Sequence, residues 1–223
     1  QGHIYIRCKY AVVEYDIKKN TFHTIRDNDI QAITYDNARL WVCTRDSLFT
    51  YNRVEDRLDY YYNLEGVRMS CVTEDSAGNL YVGTMNNGLY MIDHNKKWLN
   101  YFPKKDITCI YEDSKKSIWV GTKDDGLFRL DRNGGITNYG TAPHQNMLSS
   151  SYVRCVVEDN LGNYWIGTFK GLDKLDVTTG TFTHYSKDNK PYSLSNSSII
   201  CMMKDRQGTF WIGTYYGGVN LFN

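Results

Sequence analysis

Paired carboxylates are the residues of this sequence whose type and spacing most resemble reaction chemistry. Glu74-Asp75, Glu112-Asp113 and Glu158-Asp159 each place two acidic groups side by side, and two carboxyl groups can share general-acid and general-base roles. The same pair nevertheless returns at the same place in successive repeats of the chain. An active site needs one asymmetric constellation, so repetition favours a structural role. We predict tight turns in which Asp accepts hydrogen bonds from backbone amides ahead of it.

Cysteine and histidine are the other reactive residue types. Four of the six cysteines stand ten residues before a repeated aromatic residue: Cys71, Cys109, Cys155 and Cys201. Equivalent positions on successive repeats lie too far apart for a disulfide, and Cys8 and Cys43 lie in second strands, so we predict that all six are buried free thiols. The five histidines are scattered, which predicts surface roles rather than a metal site. No nucleophile elbow, phosphate loop or His-Glu-x-x-His motif occurs, so no catalytic residue, metal ligand or cofactor is predicted.

The repeat that contains these residues sets the fold class. Its anchor is an aromatic residue, usually followed by an apolar residue, Gly and Thr, which recurs at intervals of 36 to 46 residues: Tyr5, Trp41, Tyr81, Trp119, Trp165 and Trp211. A period of about 40 residues with four short β-segments in each unit is typical of propeller blades. The sequence therefore predicts an all-β chain, a β-propeller of four-stranded antiparallel blades.

Each position in the repeat has a predicted structural role. The first segment, as in "YVRCVVE", is apolar on both faces, as expected for an innermost strand. The anchor lies in the second strand, where we expect it to pack between blades, and the glycine two residues later permits a close approach or a bulge. Third and fourth strands follow, as in "GLDKLD" and "TFTHY". Gly78, Gly162 and Gly208 suit a positive φ in the Asp turn, whereas Lys116 predicts a different turn.

The blade boundaries follow from this register within one domain, 1–223. Four full and two partial blades are predicted: 2–25 (partial), 30–62, 67–102, 107–139, 152–185 and 198–223 (partial). The chain begins at the second strand of one blade and stops after the third strand of another. We therefore expect a fragment of a longer ring, with seven blades as the predicted total.

Charge and hydropathy exclude two classes of partner. Lys and Arg total 26 against 25 Asp and Glu, so there is no basic field to attract nucleic acid. The apolar runs are far shorter than the ~20 residues that span a bilayer. Membrane contact is expected only through segments that this sequence lacks.

Two segments resemble a known family. "LSSSYVRCVVEDNLGNYWIGT" and "LSNSSIICMMKDRQGTFWIGT" are similar to the two-component regulator propeller (Reg_prop) repeat. The resemblance covers nearly all of the chain, with departures at Arg7, Cys43 and Lys116. The resemblance implies the periplasmic sensor region of an inner-membrane hybrid histidine kinase. It also implies a second propeller and a β-sandwich elsewhere in the protein, a homodimer in the full-length receptor, and in many members an oligosaccharide ligand.

A ligand is expected at the bends between second and third strands, because propellers usually bind at loops on one face. The predicted binding residues offer aromatic faces, amides and charges: Arg45, Asn86, Asn87, Lys123, Asp124, Phe169, Lys170, Tyr215 and Tyr216. Two long crossovers, 140–151 and 186–198, are expected on the same face.

The function predicted from the sequence is ligand sensing. A ligand that favours one arrangement of propellers or subunits would bias a histidine kinase and a transcriptional regulator. The alternative is a non-catalytic protein-interaction scaffold. A propeller lyase or glycosidase is less favoured, because no carboxylate, Tyr or His stands apart from the repeat.

Overall fold

The computed structural model describes residues 2–26, 28–140 and 147–222, and these form β-strands joined by turns and loops. The strands are β1 His3–Arg7, β2 Val12–Asp16, β3 Thr21–Arg26, β4 Ala32–Asp36, β5 Arg39–Cys43, β6 Ser47–Asn52, β7 Arg57–Asn63, β8 Met69–Glu74, β9 Leu80–Thr84, β10 Leu89–Ile92, β11 Trp98–Tyr101, β12 Ile107–Glu112, β13 Ile118–Thr122, β14 Leu127–Leu130, β15 Ile136–Tyr139, β16 Val153–Glu158, β17 Tyr164–Thr168, β18 Leu172–Leu175, β19 Phe182–Tyr185, β20 Ile199–Lys204, β21 Phe210–Thr214 and β22 Gly218–Phe222. Within those ranges no helix is long and apolar enough to cross a membrane.

The strands form six antiparallel sheets, each made of strands consecutive in sequence. Blades 2 to 5 have four strands, whereas blade 1 (β1–β3) and blade 6 (β20–β22) have three. This is the blade architecture of a β-propeller, and the predicted fold class is confirmed. By contacts the chain divides into two units, 1–104 with blades 1 to 3 and 105–223 with blades 4 to 6.

The repeated cysteine is explained by the glycine opposite it. Cys155 on β16 is the cross-strand partner of Gly167 on β17. A Cβ added at Gly167 would overlap Cys155 Sγ, so the sulfur occupies the space that the glycine leaves. The same pairing joins Cys109 to Gly121, and a Cβ added there would overlap the Cys109 sulfur in the same way. The predicted close approach at these glycines is therefore filled by a side chain of the same blade.

In blade 2 the cysteine and the small residue opposite it have exchanged strands. Cys43 stands where the glycine is expected, and its partner across the ladder is Ala32, where the cysteine is expected. Both residues are buried. One sulfur is thus present per strand pair in either arrangement, which explains how the blade tolerates a departure from the repeat.

The Asp turns are structural, as the repetition predicts. Asp159 Oδ1 accepts hydrogen bonds from the amides of Leu161 and Asn163 at 2.9 and 2.8 Å. Its Oδ2 accepts a bond from the indole of Trp165 at 3.2 Å. The carboxylate therefore ties the turn to the anchor residue, which suits an acceptor with several lone pairs.

The prediction of a different turn at Lys116 is wrong. Lys116 adopts φ 67°, close to the 82° of Gly162, and its amide bonds Asp113 O as Gly162 bonds Asp159 O. Five backbone and side-chain bonds hold this turn, and they override the preference of lysine for negative φ.

The glutamate of the acidic pair joins neighbouring blades, a role that the sequence did not reveal. In the first unit Glu74 Oε2 accepts the Trp41 indole N–H at 2.7 Å. In the second unit Glu158 accepts the amide and hydroxyl of Ser114, both at 2.7 Å. The anchor aromatic packs across the same boundary, since the ring centroids of Trp119 and Tyr164 lie 4.1 Å apart. The predicted blade-to-blade role of the anchor holds here.

The thiols are free, but not all are buried. Cys43 is buried, and burial raises the pKa of Cys71 and of Cys155 to about 12. Cys8 and Cys201 are exposed, so the prediction of burial is wrong for these two. Cys201 lies on β20, the first strand of blade 6.

Candidate functional site: the bends and crossovers

The bends between second and third strands are fixed by the threonine that precedes them. Thr122 Oγ1 donates to Gly126 O at 2.8 Å, and Thr168 Oγ1 donates to Gly171 O at 2.9 Å. The residue after this threonine donates its amide to the residue just before the first strand, as in Phe169 to Tyr152 O at 3.0 Å. Each such bend therefore lies beside the entry to the inner strand of its own blade.

The crossovers contact the same bends. Ser149 Oγ lies 3.0 Å from Thr168 Oγ1 and 3.0 Å from Asp173 Oδ2. Ser195 Oγ repeats the first contact with Thr214, also at 3.0 Å. Residues 141–146 of the first predicted crossover lie outside the described residues. The described parts of both crossovers thus adjoin bends of the second unit, as expected from their position in the repeat.

All nine predicted binding residues lie at bends, three in the first unit and six in the second. The first-unit residues are Arg45, Asn86 and Asn87; those of the second unit are Lys123, Asp124, Phe169, Lys170, Tyr215 and Tyr216, and all nine are exposed. The side chains of Tyr215 and Tyr216 contact each other edge to face at 4.3 Å between centroids. Exposure at bends makes these side chains accessible to a ligand, and their binding role stays a prediction.

Arg154, which lies beside the bend of blade 5, is a residue that sequence reasoning missed. It occupies a β-bulge, where Val153 pairs with Thr168 and Cys155 already pairs with Gly167. Its guanidinium carbon lies 4.6 Å from the ring centroid of Tyr152 and 5.3 Å from that of Phe169. The two rings are nearly parallel, at 12° and 6.2 Å. We call Arg154, Tyr152 and Phe169 the arginine cluster.

A departure from the repeat could have revealed Arg154. The bulge residues of the four blades that have this bulge are Ser70, Thr108, Arg154 and Ile200. Only one of these four is charged. Repeated positions report on packing, so a single charged exception at such a position is a signal of function.

The charges at two neighbouring bends differ. At the bend of blade 4, Lys105 pairs with Asp125 at 2.7 Å and Lys123 lies 3.8 Å from Asp106. At the bend of blade 5, neither Arg154 nor Lys170 has a carboxylate within salt-bridge distance among the described residues. Two cationic side chains without an ion-pair partner among the described residues therefore lie at the bend of blade 5, in a chain whose formal net charge is only +1.

Two cavities of more than 500 Å³ are lined by none of the nine predicted binding residues. One of about 590 Å³ adjoins β1 and is lined by Tyr5, Tyr35 and Arg53 among others. Another of about 560 Å³ adjoins β22. Both border a strand that is hydrogen-bonded on one side only, and such an edge can pair with a further strand. We therefore do not base the ligand site on them.

Metal chemistry finds no support in the geometry. Among residues 2–26, 28–140 and 147–222, no group of three or more His, Cys, Asp or Glu side chains could hold a metal ion. The acidic pairs are engaged in turns and blade contacts, as described above. The bends instead carry aromatic rings, amides and a guanidinium, which are groups that can bind a ligand.

Comparison with known families decides the kind of repeat. The model of the two component regulator propeller matches residues 101–124, 147–170 and 193–216. Each match runs from a crossover through the Asp turn to a bend. These three segments, about a third of the chain, match the repeat of that family. The resemblance noted from the sequence is thereby confirmed.

Similarity to solved structures covers nearly the whole length of the chain. The extracellular domain of a hybrid two component system from B. thetaiotaomicron is 26% identical, with a TM-score of 0.83 over 99% of this chain and 32% of that one. A second such domain from the same organism is 21% identical, with a TM-score of 0.84 over 100% of this chain and 31% of that one. The chain therefore spans about a third of the length of these domains.

A lyase shares the fold. Virginiamycin B lyase from Staphylococcus aureus is 12% identical, with a TM-score of 0.74 over 99% of this chain and 80% of that one. At this identity the likeness concerns the fold alone. No protein of curated function matched the sequence.

Proposed function

We propose that this chain is part of the periplasmic ligand-sensing region of a two-component system, and that its ligand is an oligosaccharide. The observation that carries the proposal is the similarity over 99% of the chain to an extracellular domain of a hybrid two component system. Extracellular placement of that domain supports a periplasmic location for this one. In the full-length protein, the sensor would signal to a histidine kinase and a transcriptional regulator, and would act as a homodimer.

The side chains at the bends of blades 5 and 6 support a saccharide ligand. Phe169, Tyr215 and Tyr216 are 51%, 51% and 91% exposed, and flat aromatic faces stack on the apolar faces of sugar rings. Amide, lysine and serine groups beside them can bond hydroxyl groups. Binding would signal by favouring one arrangement of the receptor over another, since a ligand shifts an equilibrium only through differential affinity.

Catalysis is not part of the proposal. The paired carboxylates are held in the Asp turns or in contacts between blades, and the likeness to the lyase is confined to the fold.

Thermal-shift screening of the chain against neutral and acidic oligosaccharides tests the proposal. A saccharide that raises the melting temperature should lose this effect in Phe169→Ala. Phe22→Ala serves as the matched control, because Phe22 is an exposed phenylalanine of β3, away from any bend. Absence of any shift, together with a stable protein partner in a pull-down, would favour the interaction scaffold instead.

A further inference from the structure

The bulge residues have a shared structural duty, which Arg154 performs with only part of its side chain. Thr108 Oγ1 donates to Val153 O of the next blade at 2.5 Å. Arg154 Nη1 donates to the equivalent carbonyl, Ile199 O, at 3.0 Å, and to Ser198 Oγ at 2.9 Å. A hydroxyl group suffices for the link between blades, so the link does not explain a guanidinium.

The remaining donors of Arg154 are available to a ligand. A guanidinium has five N–H groups, and Nη1 carries two of them. Nε and Nη2 make no hydrogen bond to the described residues. With the guanidinium carbon 4.6 and 5.3 Å from the ring centroids of Tyr152 and Phe169, the remaining donors form a fork that matches the two oxygens of an anionic group.

The fork is held in place before any ligand arrives. Phe169 N bonds Tyr152 O at 3.0 Å, which fixes the backbones of the two stacked rings to each other. Thr168 Oγ1 accepts the amides of Lys170 and Gly171 at 3.2 and 3.1 Å. A Cβ at Gly171 would lie 2.6 Å from Tyr185 O, so the bend is packed against its own sheet. Little ordering cost remains for binding.

We infer that the arginine cluster is a subsite for the acidic group of an acidic saccharide, with Arg154 binding a carboxylate or sulfate ester and Phe169 contacting the sugar ring. The inference rests on the proposed function, which it narrows from oligosaccharides in general to anionic ones. Lys170, exposed on the same bend and without a carboxylate partner among the described residues, adds long-range attraction for the anion.

Isothermal titration calorimetry with a matched pair of ligands tests this. Trigalacturonate and a galactotriose with the same α-1,4 linkages differ only at the sixth carbon of each ring, which is a carboxylate in one and a hydroxymethyl group in the other. A third ligand, a trisaccharide of galactose 6-sulfate, places a sulfate ester there. Wild type should bind at least one anionic ligand about tenfold or more tightly than galactotriose, as expected for a charge-assisted hydrogen bond. Whichever of the two anionic ligands binds more tightly shows whether the subsite prefers a carboxylate or a sulfate ester.

Two variants separate recognition from folding. Arg154→Thr keeps a hydroxyl donor for Ile199 O, as in Thr108, but removes the guanidinium; it should lose the roughly tenfold preference. Arg129→Gln removes the same charge from an arginine that stacks on Trp119 and bonds Ser117 at the turn end of its blade. This control should retain the preference.

The outcomes distinguish the inference from the function on which it rests. Equal binding of neutral and anionic ligands, or a preference that survives in Arg154→Thr, overturns the anionic subsite and leaves saccharide sensing intact. Failure of all three trisaccharides and of the wider screen to bind overturns both.

Discussion

Substituting Gly167 by alanine tests whether the repeated Gly and Cys form one packing unit. The added Cβ would overlap Cys155 Sγ and would lie 2.6 Å from Cγ2 of Ile199, whereas ordinary contact begins at 3.4 Å. Both neighbours must therefore move by most of an ångström. Ile199 is fully buried, so it cannot turn into solvent.

The expected cost lies at the upper end of the range for overpacking, about 3 kcal/mol. Gly213→Ala should cost less, about 1 kcal/mol, because the nearest atom to its Cβ is Cys201 Sγ at 2.7 Å and Cys201 is exposed. Gly140→Ala is the control, since the nearest atom to its Cβ is 3.7 Å away; it should be neutral or stabilising by up to about 1 kcal/mol.

Urea denaturation followed by tryptophan fluorescence measures these differences. A double-mutant cycle with Cys155→Ala should recover about 1 kcal/mol of the Gly167→Ala cost, because the sulfur contact disappears while the Ile199 contact remains. Blade 2 is a natural case of such compensation, with Ala32 opposite Cys43. Equal stability of Gly167→Ala and Gly140→Ala, or an additive cycle, would refute the packing unit.

Three further results are expected. At pH 8 Ellman's reagent should react rapidly with Cys8 and Cys201 and with the other thiols only after unfolding, because burial keeps thiols such as Cys155 protonated; fast reaction of every thiol in the native protein would contradict this. The indole of Trp211, then backbone amides, lower the pKa of Asp205, so its stabilising effect is present above the ordinary carboxyl pKa of about 3.9 and lost as pH falls through the lowered value. In an NMR titration Trp211→Phe should raise that pKa, and an unchanged value would count against the bond. Lys116→Gly should raise the free energy of unfolding by about 1 kcal/mol in urea, since it relieves a left-handed lysine; a less stable variant would show that no strain is stored there.

The fold could be predicted because its determinants recur. An anchor such as Trp165, the Asp turn before it and the glycine after it each appear in several blades. The strand positions assigned in one blade could therefore be compared with those in the others. The exposed Cys201 was mispredicted because the repeat fixes the position of a residue within its blade but does not fix what covers that position. The turn at Lys116 was mispredicted because its hydrogen bonds outweigh a local φ preference.

The candidate site was only partly predictable. Bends could be located by counting strands, and Phe169 was found in this way. Arg154 was missed because its importance depends on a bulge that directs its side chain and on stacking with Tyr152 and Phe169. The sequence places these residues near one another, but only the backbone geometry shows that they meet.

Hydrogen-exchange mass spectrometry with and without the bound saccharide tests most directly whether the repeated residues build the blades while the bends bind. Protection on binding should be confined to peptides from the bends and crossovers, such as 149–154, 168–171 and 193–198. Protection centred instead on the Asp turns, 159–163 and 205–209, with unchanged exchange at the bends, would contradict the account.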